Sequence, residues 1–512
     1  MPSRFDIAIE GAGTDAVVRL ALDPAHDGTR RVRFRTRDGR RSHQVPVETS
    51  AAGTEARLPL DLLVGEGPLR WDVQVGGAGS DGFVQLGGSA PAGRPRHFFK
   101  AAHGTHGISA YLSDSAASVV LLSAPRDQHR RIVEVEDARA GFADMLRELP
   151  LQEDLVLFES FLGKSYAGNP RYIYEALRGM RPDLRCVWVY AGGEAIPGDP
   201  QRVARGSAEY YRLLAQAKYR VNNIMFAAHG RKPETRYLQT WHGTPLKRLG
   251  RDIEVSGPGS IDPSRFEAES RESAVWTTLL SGNAYSSGIF RHAFDYPGDM
   301  LEAGYPLTDP LLDPGLDRDA IASRLGLPAG HRFVLYAPTW RDHRPVGHWR
   351  FDFDLQLDMA AVAAALAPDQ VLLVRAHHLV AAGLDDAALP PNVRNVSHVD
   401  DMTDLCAIAD VLVTDYSSVF FDYAVTGRPI LFYCYDLELY SGQVRGFYLD
   451  PEADLPGPVA RTTDGLLGLL RDLPGVQARY ATRYAAFRER FCAWNDGQAA
   501  RRVVEAFFGA GP

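Results

Sequence analysis

From residue 1 to about 125, short runs alternate apolar with polar positions: FDIAIE, AVVRLAL, RVRFRT, LRWDVQV, FVQLG and SVVLLS, separated by Gly, Pro and Asp. A side-chain period of two broken by turn residues predicts strands, and their close spacing predicts a small β-sandwich. From about Glu134 the rhythm changes to strands followed by helix-length segments. LVLFES precedes NPRYIYEALRGM, CVWVY precedes PQRVARGSAEYYRLLAQA, and YRVNN and TTLLSGN follow. This alternation predicts an α/β domain with a parallel sheet. After the breaker-rich LGLPAGHR the pattern restarts with FVLYAPTW, VLLVRAH, DVLVTDY and PILFYCY, so a second α/β domain is expected. The expected organisation is a β-rich domain over residues 1–125 and α/β domains over 126–325 and 326–512.

Composition narrows the classes. Among 512 residues, 45% are apolar and 23% charged, which is globular. Lys and Arg number 56 against 64 Asp and Glu, a net charge of -8, so no nucleic-acid partner is expected and an anionic ligand must be held locally. Cys186, Cys406, Cys434 and Cys492 form no CxxC pair and read as packing residues in a reducing compartment. The amino-terminal MPSRFDIAIEG has no apolar signal core and no apolar stretch reaches about 18 residues, so a cytoplasmic protein is expected. A peripheral contact at the inner face of a membrane stays open, because it leaves only a weak trace in sequence.

Two glycine motifs mislead. Gly11-Ala-Gly13 resembles a dinucleotide fingerprint, but Val18, Leu20 and Leu22 then continue as a strand where a helix is required, so a hairpin turn is expected. Gly163-Lys164-Ser165 resembles the end of a P-loop, yet the position of its first glycine is Phe158.

Chemistry concentrates in loops that follow strands, where an open parallel sheet binds ligands. YLQT runs into Trp241-His242-Gly243-Thr244-Pro245-Leu246-Lys247, with His242 placed to serve as a general base or as a capping or core histidine. Ser281 and Asn283 end TLLSGN, where they cap a helix or bind a ligand. YAPTWRD brings Thr339 and Arg341, and a strand ending in Arg375-Ala-His377-His378 suits phosphate oxygens. A metal is the competing reading there, but adjacent histidines on an extended chain point to opposite faces and no carboxylate cluster accompanies them. DVLVT stops at Asp415-Tyr416-Ser417-Ser418 and opens a helix, either an anion cradle or an ordinary serine cap.

WHGTPLK, TLLSGNAYS, AGYPLTDPL, YAPTWRD, RAHH and VTDYSSVFFDYAVTGRPILFYCYDLELY, with the upstream FESFLGKSYAGNPRYIYEAL, resemble the CDP-glycerol:poly(glycerophosphate) glycerophosphotransferase family of teichoic acid and capsule polymerases. The resemblance covers about residues 150–450 and leaves out residues 1–125, which look like an accessory domain. It implies a GT-B fold, two Rossmann-like domains facing a cleft, and transfer of an alditol phosphate from CDP-glycerol or CDP-ribitol to a polymer hydroxyl with release of CMP. The acceptor would be a polyol phosphate or a glycan-linked, lipid-borne chain. By motif, His242 takes the place of the family's proposed catalytic base, with His377 as a further catalytic candidate. Arg375, His377, Ser417 and Ser418 take that of its donor-phosphate contacts, with Asp415 in the same loop. A proline commonly follows the Arg-x-His histidine; His378 stands there instead.

The residue types suit that chemistry. A histidine accepts the hydroxyl proton, while Arg375, His377, Lys247, Arg341 and the start of the helix at Ser417 neutralise the leaving group in place of a metal, with no cofactor. The rival readings are a GT-B glycosyltransferase using a nucleotide sugar, and a non-catalytic polymer-binding protein.

Overall fold

A computed structural model describes residues 5–10, 16–22, 29–50, 53–77, 84–86, 97–113, 118–253, 271–339, 345–347, 350–351, 356–376, 386–438 and 446–509. The chain forms two compact units, Met1–Leu149 with Gly206–Ala215, and Pro150–Arg205 with Gln216–Pro512.

In the first unit, antiparallel strands run in the order Phe5–Glu10, Val17–Leu22, Gly53–Pro59, Ser42–Ser50, Thr29–Thr36, Leu69–Gly77, Val119–Pro125, His106–Leu112 and His97–His103, with Val84–Gln85 beside Leu69–Gly77. Ser42–Ser50 belongs to two ladders: its residues 42–46 pair with Thr29–Thr36 and its residues 47–50 with Gly53–Pro59. Pro46, which has no N–H to give a ladder, marks the switch. The two wings share one apolar cluster in which Val18, Leu20 and Leu58 join Phe34, Trp71 and Leu121. Gly11 and Gly13 lie outside the described residues, but Glu10 pairs with Val17 across an antiparallel hairpin. The helix Arg126–Ala140 is tied to the strands through Glu136, which accepts from Arg70 and from His97 at 2.7 Å each. Burial pushes the Glu136 carboxyl up, but these two donors outweigh it and hold it at about 2.

The second unit carries two parallel sheets. One runs Gln201–Val203, Arg185–Val189, Gln152–Glu159, Ala217–Asn222, Arg236–Gln239, Thr278–Ser281, Asp299–Glu302, and the other Val393–Asn395, Gln370–Val374, Arg332–Ala337, Ala409–Thr414, Ile430–Tyr433, Val459–Ala460. Their central strands are near-continuous apolar runs, as sheets covered on both faces require. Within PQRVARGSAEYYRLLAQA, the helix-length segment expected after CVWVY, the structure places an edge strand at Gln201–Val203 and a helix at Ala208–Gln216. Three residues are too few to show a period of two.

The helix Ala499–Phe508, within the range assigned from sequence to the second α/β domain, packs instead on the first of the two sheets. Its Val503, Val504 and Phe507 join Ile173 and Leu177 of the helix Gly168–Met180 in one core. Asp309 fastens its first turn, accepting from the Ala499 and Ala500 N–H groups at 3.0 and 2.7 Å. The halves are also joined by Arg171, whose Nη1 lies 3.1 Å from the buried Asp401, to which Tyr172 donates at 3.0 Å. Among the described residues no helix is long and apolar enough to cross a membrane.

Candidate functional site

Each sheet has its strand order reversing beside its first strand, between Gln152–Glu159 and Ala217–Asn222 in one and between Arg332–Ala337 and Ala409–Thr414 in the other. Loops part at such a point and leave a crevice at the strand carboxyl ends. Both crevices open on one cleft of about 740 Å3, lined by Lys164, Ser165 and His242 from the first half and by Thr339, Arg375 and Ser417 from the second.

His242 follows the strand Arg236–Gln239 through a contorted backbone, with Trp241 at φ 52° and Gly243 at φ 142°. The Gln239 side chain accepts the Trp241 N–H at 2.9 Å, and Trp241 stacks on the exposed His242 ring at 4.6 Å and 25°. The Asn223 carbonyl lies 2.9 Å from His242 Nδ1. A carbonyl only accepts, so the proton sits on Nδ1 and the basic lone pair on Nε2. This is the tautomer a general base needs.

Beside it, Phe161, Leu162 and Gly163 form a left-handed turn with φ of 45, 61 and 76°. For the two non-glycine residues this costs about 1–2 kcal/mol each. Asn223, fully buried, offsets it: its Oδ1 accepts the Phe161 N–H at 2.8 Å and its Nδ2 donates to Ser160 Oγ at 3.0 Å. One residue therefore shapes the turn with its side chain and orients the histidine with its carbonyl. Neither Asn223 nor the turn stood out in the sequence, where GKS showed only an incomplete P-loop.

On the facing side, Asp415 is 2% exposed and sits behind the lining, where its Oδ1 accepts the Thr339 and Tyr416 N–H groups at 2.7 and 2.6 Å and pins the two loops together. Arg375 Nη1 donates to the Ser397 carbonyl, while its Nε is buried with no acceptor among the described residues. Burial lowers the Arg375 pKa from the usual guanidinium value, the mark of a cation deprived of water. The helix after Ser418 is only Val419–Tyr423, and Ser418 makes no side-chain cap, so little helix dipole is available there; among the described residues of this half, Arg375 is the cation that lines the cleft. A Cβ on Gly243 would lie 2.8 Å from Ser418 Oγ, so glycine permits the histidine and serine loops to meet.

Gly243, Thr244, Lys247 and Ser418 also line the cleft. Ser281 and Asn283 do not serve as ligand-facing groups; they are 0% and 2% exposed, and the capping alternative is what the geometry carries. Asn283 accepts the Ser286 N–H at 2.8 Å and donates to the Phe491 carbonyl at 2.9 Å, and Ser281 Oγ donates to the Asn283 carbonyl at 2.9 Å. Arg341, His377 and His378 lie outside the described residues.

A profile of the family CDP-Glycerol:Poly(glycerophosphate) glycerophosphotransferase matches residues 142–509. The teichoic acid poly(glycerol phosphate) polymerase of Staphylococcus epidermidis is 38% identical over 356 residues, 68% of this chain and 49% of that protein. The chain thus spans about half the length of that relative. The teichoic acid glycerol-phosphate transferase of Staphylococcus aureus is 37% identical over 373 residues, 71% of this chain and 95% of that protein. The solved wall teichoic acid polymerase TagF superposes with a TM-score of 0.68 at 36% identity, covering 74% of this chain and 95% of that one, and a histidine variant of it was soaked with CDPG. With the profile spanning both parallel sheets and the cleft between them, the chain belongs to the CDP-glycerol:poly(glycerophosphate) glycerophosphotransferase family.

Proposed function

We propose that the chain transfers glycerol phosphate, or a related alditol phosphate such as ribitol phosphate, from a CDP-alditol to a hydroxyl of a teichoic acid or capsule-type polymer. The observation that carries this reading is the pairing, across one cleft, of a histidine protonated on Nδ1 with an arginine whose buried Nε has no acceptor among the described residues. In the reaction the acceptor oxygen attacks the β-phosphorus of the donor, a new P–O bond forms, and the bond to the CMP oxygen breaks. The hydroxyl proton passes to His242 Nε2, while Arg375 and the Ser417 and Ser418 hydroxyls hold the phosphate oxygens. Asp415 acts through the loops it joins. His377 is assigned to the donor phosphates by motif and as a second catalytic candidate, and Arg341 to them as a neutralising charge.

The layout is read as GT-B, with residues 126–325 on the acceptor side, 326–512 on the donor side and 1–125 as an accessory domain. The matching strand order of the two sheets and the shared cleft support it. A polymer acceptor carried on lipid would place the protein at the inner face of the cell membrane.

The test is CMP release from CDP-glycerol and CDP-ribitol, with and without a glycerophosphate or ribitol-phosphate acceptor. Acceptor-dependent CMP from one donor is expected. UDP released from UDP-sugars instead would move the chain to the glycosyltransferases, and polymer binding without turnover would make it a binding protein.

A further inference from the structure

The mechanism above leaves the strained turn unused, although it lines the cleft. Lys164 and Ser165 follow the left-handed Phe161–Gly163 turn and face the same cleft as His242. They come from the histidine's own sheet, at the point where its strand order reverses, and not from the half that carries Arg375. The Lys164 side chain is exposed and meets no carboxylate among the described residues, in contrast to Lys218, whose ammonium lies 2.9 Å from Glu153. Asn223 ties this turn to the base, since its side chain holds Phe161 and its carbonyl holds His242. The lysine is thereby placed relative to the atom that takes the acceptor's proton. Gly163 permits this, because a Cβ there would lie 3.2 Å from Val189 Cγ1 at a φ of +76°.

A growing polyol phosphate ends in a hydroxyl a few bonds from a phosphodiester. An enzyme that deprotonates that hydroxyl has an anion beside its base on the acceptor side, separate from the donor's pyrophosphate. We infer that Lys164, with Ser165, forms a subsite for the last phosphodiester of the acceptor, so that the enzyme reads a polyanionic chain end and not merely an alcohol. This rests on the phosphotransfer reading above.

The experiment measures acceptor-dependent CMP release by wild type, Lys164→Ala and Lys164→Arg with a glycerophosphate oligomer and with free glycerol, alongside the CDP-glycerol Kd by calorimetry. Lys164→Ala is expected to raise KM for the oligomer about tenfold, the worth of one charge-assisted phosphate contact. Lys164→Arg should recover most of that loss, free glycerol should show no such difference, and the donor Kd should hold within about twofold. A Lys164→Ala enzyme with wild-type oligomer KM, or one whose donor Kd weakens in step, overturns the subsite and leaves phosphotransfer standing. Wild type that releases no acceptor-dependent CMP overturns both.

Discussion

In the proposed reaction two side chains divide the chemistry, and each is set by a main-chain neighbour. His242 is oriented by the Asn223 carbonyl and Arg375 is held by that of Ser397. Replacing His242 with Ala is expected to lower turnover by about 10²- to 10⁴-fold, the usual worth of a general base, with CDP-glycerol binding retained; wild-type turnover would remove the residue from the mechanism. A different test concerns Asp422, in the helix after the serine loop, whose carboxyl burial pushes up to about 8 from an ordinary 3.8. A carboxyl raised in the folded state stabilises most below its unfolded value and loses that contribution as pH climbs through the folded one. Asp422→Asn keeps the neutral form at every pH. Its melting temperature should therefore gain on wild type steadily from about pH 4 to about pH 8, and a pH-independent difference would dismiss the burial argument. His242, Arg375, Ser417 and Ser418 were legible in the sequence because each sits just past an apolar strand. The placement of Lys164 and Asn223 was not, because it comes from a backbone turn and a carbonyl contact, and neither has a one-letter signature.

At the level of elements, the apolar runs FVLYA, VLLV, DVLVT and ILFY all appear as strands, since a parallel strand buried on both faces has little alternative use for such residues. The first unit was harder to read. Ser42–Ser50, Gly53–Pro59, His97–His103 and His106–Leu112 carry Gly, Pro, His or Glu through their strands and show no clean alternation, which hides the strand that changes ladders at Pro46. Where helices of the two halves meet, Arg171 and Tyr172 of Gly168–Met180 address Asp401, which also accepts the Thr403 N–H at 3.0 Å as cap of Met402–Ile408. Removing one partner of a buried ion pair costs up to about 3–5 kcal/mol, and less where the other keeps partners, as Arg171 keeps Glu175 at 3.1 Å. Asp401→Ala should show a loss within that limit in urea unfolding, and combining it with Arg171→Ala should cost less than the sum of the single changes. Strict additivity would mean that the contact is idle.

Across the whole molecule, the terminal helix binds sequence-distant parts together. Phe507→Ala is expected to cost about 3–5 kcal/mol, as for other buried aromatic truncations. Hydrogen exchange should then speed up in Gly168–Met180, in the core it shares, and not in Ala409–Thr414. Faster exchange confined to the second sheet would contradict the packing. No local pattern announced this arrangement, because the apolar face of Ala499–Phe508 reads the same whichever sheet it covers. The arrangement also bears on biosynthesis. A ribosome makes the whole second half before it makes the helix that covers the first, so the part of the core around Ile173 and Leu177 that this helix closes must wait while some hundreds of residues emerge. A nascent chain paused short of Ala499 would offer that apolar face to chaperones, and the two halves would mature nearly together although one is translated well before the other.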